Sequence, residues 1–339
     1  MKIAVLGAGS IGVYVGGVLL ASGADVTLIG RATMQARIAR DGLTLTDLHE
    51  RHVVLRADQI HFTQDAAALA QADLVLVTVK SADTAQAAKL IAAHGKASAL
   101  VLSLQNGVGN ADTLRLALPG RTVLAGMVPF NVVQLGDSQF HRGTEGDIAV
   151  EQSPALNPWH AVFAAAQLPL VEHENFAAVQ WGKLLLNLNN PINALSGLPL
   201  KTQLSQRAYR RCFALLIKEA LGVLAAAGIE PAKVVRLGPR LLPLVLSLPD
   251  ALFSRVARAM LRIDPQARSS MWEDLRAGRR TEVDYLSGAV VQLAESLGID
   301  APFNRRIVAL MRLAESGKQS SMSGSELSKA LKDSFSVAA

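Results

Sequence analysis

The sequence predicts an α/β chain, a doubly wound parallel sheet followed by an all-helical domain. Three observations carry that expectation. Within the first 130 residues, short and almost wholly apolar runs alternate with amphipathic segments, as strands buried on both faces alternate with their covering helices. A glycine-rich turn joins the first apolar run to the first helical segment. From about residue 174 the apolar spacing changes to the helical period and keeps it. The length of 339 residues suits two domains.

In order along the chain, Lys2–Leu6 reads as a buried strand, followed by the glycine turn and a helix over about 11–22. Asp25–Ile29 is a second strand, and the runs 73–79, 99–104 and 121–126 are three more. Residues 127–172 differ: they are glycine-rich and alternate in polarity around 147–151 and 169–172, which predicts antiparallel strands closing the sheet. Segments 174–190, 203–227, 281–297 and 302–316 run at helical period, and Gly228 and Gly298 stand just past two of them as C-terminal stops. The Leu- and Arg-rich segment 236–268, with prolines at 239, 243, 249 and 265, is expected to form short helices in an excursion, as an interface or a lid. The expected division is a sheet domain over 1–173, a helical domain over 174–316 and a Ser- and Lys-rich tail over 317–339 with a frayed end. No internal repeat is present.

Half the residues are hydrophobic and 18% are charged, which gives ample core. The single cysteine, Cys212, cannot form an internal disulfide, so a stapled secreted scaffold is excluded and a reducing compartment is expected. The +6 balance suits an anionic ligand. Nucleic acid is not expected, because no basic run is interleaved with aromatics; the most basic stretch, 236–280, has nine Arg against four acids, its arginines over 236–268 alternate with Leu and Val, and it reads as a solvated helical face. The apolar N-terminal run superficially resembles a signal peptide, but five glycines within 7–17 argue against one. No stretch of about 20 residues is free of charge and strongly polar groups, so no membrane span is expected, and a cytoplasmic location is the default. No metal is expected.

The turn Gly7-Ala8-Gly9-Ser10-Ile11-Gly12 fits G-x-G-x-x-G directly after a predicted strand and at the opening of a helix. In that context Gly7 permits the tight turn, Gly9 lets the backbone approach a pyrophosphate and Gly12 lets helix and strand pack closely. The helix N-terminus then offers N–H groups and a positive dipole end to phosphates. The end of the second strand chooses between dinucleotides. An acid there would bond a ribose 2′-hydroxyl; here it is Gly30-Arg31, and a guanidinium suits a 2′-phosphate, so NADPH is the expected cofactor. Lys80 and Asn106 stand where later strands end, on the edge at which such sheets bind ligands.

In the helical domain the segment 181–191 places polar residues in an apolar stretch. Lys183 and Asn187 are four apart and share a helix face, and Asn190 is three further on. Such groups are costly unless satisfied. They form either a buried asparagine ladder between helices or a polar stripe facing the cleft between the domains. A third element is Ser269-Ser270-Met271, with Thr281-Glu282 beyond it. Thr281 reads as an N-cap, which puts Glu282 in a first helical turn, where a helix dipole favours an acid in any case.

With these residues in place the chain resembles the ketopantoate reductases (2-dehydropantoate 2-reductases) over about 2–315. The resemblance rests on the 7–12 turn, Arg31, Lys80, Gln105-Asn106-Gly107 and the set Lys183, Asn187, Ser270 and Glu282. It implies a Rossmann-type domain joined to an all-α domain like that of 6-phosphogluconate dehydrogenase, with NADPH as cofactor. It also implies reduction of 2-dehydropantoate to (R)-pantoate in pantothenate biosynthesis. Carried over by position, Lys183 is the general acid, and Asn106 touches both cofactor and substrate. Asn187 and Ser270 hold the substrate's carboxylate and hydroxyl ends. Glu282 bonds a hydroxyl of cofactor or substrate and helps orient Lys183, and Arg31 and Lys80 hold the 2′-phosphate end. The chemistry agrees for Lys183: hydride arriving at a ketone carbon leaves charge on oxygen, which a protonated amine can stabilise and neutralise. One departure stands out. The family often has a second Asn four residues after the Asn187 slot, where this chain has Pro191, so Asn190 or Asn193 takes its place. The substrate is therefore expected to be 2-dehydropantoate, a small 2-oxo acid, with a different 2-oxo acid or ketone on the same scaffold as the alternative and a non-catalytic NADPH sensor as a third reading. A homodimer is left open.

Overall fold

The apolar runs form the middle of an eight-stranded sheet because each supplies side chains to two cores at once. In the computed structural model, which describes residues 1–233, 238–256 and 266–333, the chain divides into two compact units, Met1–Phe176 and Ala177–Ala339. The first unit runs β1 (Lys2–Leu6), α1 (Ser10–Ala21), β2 (Asp25–Ile29), α2 (Ala32–Asp41), β3 (Leu43–Asp47), β4 (His52–Leu55), β5 (His61–Thr63), β6 (Leu74–Val77), α3 (Thr84–His94), β7 (Leu100–Ser103), α4 (Asn110–Ala117), β8 (Val123–Met127), β9 (Val132–Gln134), β10 (Gln139–Arg142), β11 (Ile148–Glu151), α5 (His160–Ala165) and β12 (Leu170–His173).

The main sheet has the order β12-β11-β8-β7-β6-β1-β2-β5, and β5 through β8 in that order are all parallel. Ile3 and Val5 of β1, with Leu74 and Leu76 of β6, face the core that holds α1; Ala4, Leu6, Val75 and Val77 face the core under α3 and α4. Both faces are covered, so polarity does not alternate along these strands. β11 pairs antiparallel with β8, and β12 runs parallel to β11, so both oppose the main direction, as 147–151 and 169–172 suggested.

The sequence did not announce a second sheet, β4-β3-β10-β9. It covers the outer side of α1, so this helix is buried nearly all round. A Cβ on Gly16 would meet Leu28 and Val5 of the main sheet at 2.5 and 3.0 Å, and one on Gly17 would meet Leu43 and Leu45 of the small sheet at 2.7 and 2.8 Å. Gly16 and Gly17 are what let two sheets close on one helix.

The second unit is helical: α6 (Phe176–Asn187, which begins one residue before the division), α7 (Asn189–Ser196), α8 (Leu200–Ser205), α9 (Arg207–Ala226), α10 (Leu242–Leu246), α11 (Asp250–Val256), α12 (Ser270–Arg276), α13 (Ser287–Ser296), α14 (Pro302–Glu315) and α15 (Gly324–Lys332). Cys212 is fully buried in α9, where desolvation pushes its thiol up to about 11. Among the described residues no helix is long and apolar enough to cross a membrane.

Four expectations need correcting. The first unit extends to Phe176 rather than ending at 173. The single helix expected over 174–190 breaks at Leu188: Pro191 has no N–H to give the Asn187 carbonyl, so α6 ends there and α7 begins at Asn189. Thr281 does not cap α13. Its hydroxyl donates to Glu315 Oε1 at 2.7 Å, and a 3₁₀ turn, Val283–Tyr285, precedes the helix. The segment set apart as a tail carries α15, which opens on a Ser323/Glu326 capping box and buries Leu327 and Leu331. The excursion over 236–268 lies partly outside the described residues. Within them, α10 and α11 are held to α9 by fully buried Arg210, which donates to the carbonyls of Leu246 and Leu248, pairs with Asp250 at 2.8 Å and stacks on Phe253.

Candidate active site

In the first unit four sequence-singled positions follow adjoining strands in the order β2, β1, β6, β7. Arg31 follows β2, the 7–12 turn follows β1, Lys80 follows β6 and Asn106 follows β7. The registers Leu6↔Ile29, Leu6↔Val77 and Val77↔Ser103 bring these carboxyl ends level. Neighbouring strands lie about 4.8 Å apart, so the row spans roughly 14 Å.

The turn is shaped by close approach. Gly7 has φ +107°, and a Cβ there would meet Val79 N at 2.5 Å. A Cβ on Gly12 would meet Gly7 O and Thr78 Oγ1, both at 2.5 Å, whereas one on Gly9 would find nothing nearer than 4.0 Å. Gly9 therefore leaves room on the outer side of the turn. The α1 N-terminus has no side-chain cap and no acid in its first turn, so its leading N–H groups are directed outward without a protein acceptor from the helix. An open cradle with a positive dipole end fits a pyrophosphate. The Thr78 hydroxyl, overlooked in the sequence, donates to Gly7 O at 2.8 Å and pins the turn to β6.

Arg31 is exposed at the start of α2, and no acid stands at the end of β2. Gly30 before it is constrained, since a Cβ would meet Ala8 and Phe62, each at 2.8 Å. Lys80 is half-buried and opens the 3₁₀ turn Ser81–Asp83. Asn106 is exposed, and its backbone is fixed from below: Asn106 O accepts from Asn110 Nδ2 at 2.7 Å and from Ser81 Oγ at 3.1 Å. Buried Gln105 donates to Thr84 Oγ1 at 2.7 Å and to Val79 O at 3.1 Å, and Thr84 Oγ1 stands 3.0 Å from Asn110 Oδ1. This buried lattice of Ser81, Thr84, Gln105 and Asn110 joins the loops that carry Lys80 and Asn106. Of its members only Gln105 lay in a motif the sequence reading singled out.

In the second unit Lys183, Asn187 and Asn190 are half-buried, while Leu184, Leu185 and Leu188 beside them are fully buried. The polar stripe thus lies along one side of the α6–α7 rod. Desolvation pulls the Lys183 ammonium down to about 8. The other two asparagines do what an asparagine ladder would do. Asn189 exchanges a reciprocal amide pair with Gln203, both bonds at 3.1 Å, and Asn193 is fully buried and bonded to backbone. Ser270 is exposed at the first turn of α12, behind the cap Ser269, whose Oγ accepts from Trp272 N at 3.2 Å. Glu282 is half-buried just after Thr281, whose N–H and hydroxyl both donate to Glu315 Oε1, at 2.8 and 2.7 Å. Glu315, at the end of α14, carried no sequence signal for that role.

Comparison with known proteins gives a consistent answer. The family model described as ketopantoate reductase PanE/ApbA matches residues 3–155, and its C-terminal counterpart matches 175–315. A 2-dehydropantoate 2-reductase of Halobacterium salinarum is 30% identical over 322 residues, covering 93% of this chain and 99% of its own. The crystal structure of a PanE/ApbA family ketopantoate reductase from Ralstonia eutropha JMP134 matches with a TM-score of 0.80 at 33% identity, over 94% of this chain and 99% of that one. D-mandelate dehydrogenase, solved with NADH and anilino(oxo)acetate, shares the fold with a TM-score of 0.75 at 21% identity, over 94% and 99%.

Proposed function

The chain belongs to the ketopantoate reductase family of nicotinamide-dependent oxidoreductases, and on that premise we propose that it reduces 2-dehydropantoate to (R)-pantoate with NADPH, Lys183 acting as general acid. The observation that carries the reading is the state of Lys183: a lysine drawn to about 8 by desolvation, on one stripe with Asn187 and Asn190. At neutral pH such a group is still mostly protonated yet gives up its proton far more readily than an ordinary lysine.

Ser10, Ile11 and Gly12 offer their backbone N–H groups to the pyrophosphate, while Gly7, Ala8 and Gly9, whose N–H groups donate to Ile29 O and Gly7 O, shape the turn and let it approach; Arg31 takes the 2′-phosphate with Lys80 beside it. NADPH, when bound, supplies the hydride. Lys183 stabilises the charge that grows on the ketone oxygen and delivers the proton to it. Asn187, Asn190 and Ser270 hold the carboxylate and hydroxyl ends of the substrate, Asn106 orients both reactants, and Glu282 bonds a hydroxyl and steadies the Lys183 ammonium.

A second reading, the same chemistry on a different 2-oxo acid, is favoured by the break at Leu188, which rephases the stripe beyond Asn187. The test is NADPH oxidation by the pure protein across a panel of 2-oxo acids. We expect 2-dehydropantoate to give the highest kcat/KM; a different acid ahead of it by about tenfold or more would select the second reading. Cofactor choice is tested through Arg31→Ala, which is expected to raise KM for NADPH far more than for NADH. Equal losses for both would end the 2′-phosphate role.

A further inference from the structure

Asn193 has no exposed surface, and its amide nitrogen and oxygen each bond a backbone group, the two far apart in the chain. Its Nδ2 donates to Leu198 O at 2.9 Å, and its Oδ1 accepts from Ser269 N at 2.9 Å. Further bonds close the same seam between α7 and α12. Ser269 Oγ donates to Asn190 O at 3.3 Å, Arg268 Nη1 donates to Gly197 O at 2.5 Å, and Leu200 N donates to Ala267 O at 2.8 Å. Within this seam the two adjacent serines divide the work. Ser269 is buried and its hydroxyl is consumed by cap and seam, while Ser270, one residue on, remains exposed.

We propose that Asn193 is a positioning residue for substrate recognition: by clamping Ser269 to α7 it fixes Ser270 relative to the rod that carries Asn187 and Asn190. The inference rests on the functional reading above, in which Ser270 meets the 2-oxo acid. It also gives Asn193 a role other than replacing the asparagine lost to Pro191. The requirement is stringent, because a single side chain must accept from one backbone and donate to another. Serine is too short to span them, and an ionised aspartate has no donor for Leu198 O.

Asn193→Ala and Ser270→Ala are made singly and together in the full chain. Kinetics on the 2-oxo acid are set beside NADPH fluorescence titration and thermal melts. Asn193→Ala is expected to raise KM about tenfold, the scale of one good hydrogen bond. NADPH affinity is expected to stay unchanged and kcat to hold within about threefold. On a Ser270→Ala background the same change adds less than about twofold to KM, because no hydroxyl is left to position. An asparagine that merely supports the fold lowers Tm in both backgrounds and lets the two KM effects multiply, which overturns the proposal. Asn193→Asp decides the matter if alanine fails to fold. When protonated, its carboxyl still accepts from Ser269 N and donates to Leu198 O, so its KM relative to wild type falls toward one between about pH 8 and about pH 5. A ratio flat with pH overturns the proposal. If the unmutated chain oxidises NADPH with no 2-oxo acid, the functional reading falls and takes this inference with it. An active wild type with multiplying KM effects removes the inference alone.

Discussion

At the scale of single residues, Lys183 ties stability to chemistry through one proton. Its ordinary pKa is 10.5 and the fold draws it to about 8, so the fold disfavours the charged form. The resulting loss of stability is full below about 8 and fades as pH rises toward 10.5, where the unfolded chain also gives up the proton. Lys183→Met is therefore expected to raise Tm at pH 7, with the gain shrinking over that window. A Tm that falls, or a gain independent of pH, would mean that the ammonium is not desolvated. The same substitution is expected to cut kcat by a factor on the order of 10²–10⁴ while NADPH affinity holds. Wild-type kcat should itself fall as pH rises through about 8, since the donor is lost there. Near-normal kcat in the variant, or loss of NADPH binding, removes Lys183 as the acid. The candidate site could be read from the sequence where chemistry demands a particular residue at a particular spacing, as in the glycine turn and in a lysine with an asparagine one helical turn along. Asn193, Thr84 and Asn110 were not legible as supports, because an isolated polar residue in a helix reads equally well as solvated surface until its partners, as much as 76 residues away, are known.

At the scale of elements, α14 owes its start to a neighbouring helix. Its N-cap residue, Ala301, offers no side-chain bond, and Glu219 of α9 serves instead, accepting from Phe303 N at 2.8 Å, Asn304 N at 2.7 Å and Asn304 Nδ2 at 2.8 Å. Burial nevertheless raises the Glu219 pKa, so desolvation outweighs those donors and the charged form is disfavoured. Stability from this group is thus complete below the unfolded carboxyl pKa and declines as pH rises through the folded one. Glu219→Ala strands the donors and should lose about 2 kcal/mol. Glu219→Gln removes the charge but keeps only one acceptor oxygen, so its amide N–H faces a donor of Phe303 or Asn304; it should lose less stability at pH 7 than alanine does. Urea unfolding of both variants checks this; a glutamine variant as weak as alanine would show that the charge at the helix end is what matters. Elements were legible where a pattern ran long enough, as in the buried parallel strands. The β4-β3-β10-β9 sheet escaped because its strands have three to five residues and because β10 pairs with β3 from across most of the unit, Gln139 opposite Thr44. The helix α15 was legible in its Ser323-x-x-Glu326 box but lay in a segment whose composition suggested a tail.

At the scale of the whole molecule, the +6 balance is unevenly shared. Residues 1–176 carry 12 Lys and Arg against 15 Asp and Glu, a balance of −3, and residues 177–339 carry 22 against 13, a balance of +9. The positive field therefore belongs to the unit that contributes Lys183, Asn187 and Ser270, the residues proposed to hold the anionic 2-oxo acid. Such a field raises the local concentration of a small anion and is screened within about 10 Å at 0.1 M salt. The expected result is a kcat/KM for the 2-oxo acid that falls by roughly tenfold from low to high ionic strength, with the change in KM and little in kcat. Reversing two exposed arginines, Arg255→Glu and Arg280→Glu, should lower kcat/KM at low salt and leave the high-salt value alone. Nucleic acid is the competing explanation for a basic unit. A DNA-binding surface would hold duplex with a steep salt slope through phosphate contacts, and single strands through stacking aromatics. With 4% aromatics overall, the basic stretch 236–280 holds only Phe253 and Trp272; Phe253 is buried under Arg210, and Trp272 is stacked on by Arg268, so neither is a free stacking platform. Titration with duplex and single-stranded DNA at low salt decides between the two. Salt-sensitive DNA binding together with a salt-insensitive KM would assign the charge to a polyanion, whereas the reverse pair of results assigns it to the substrate.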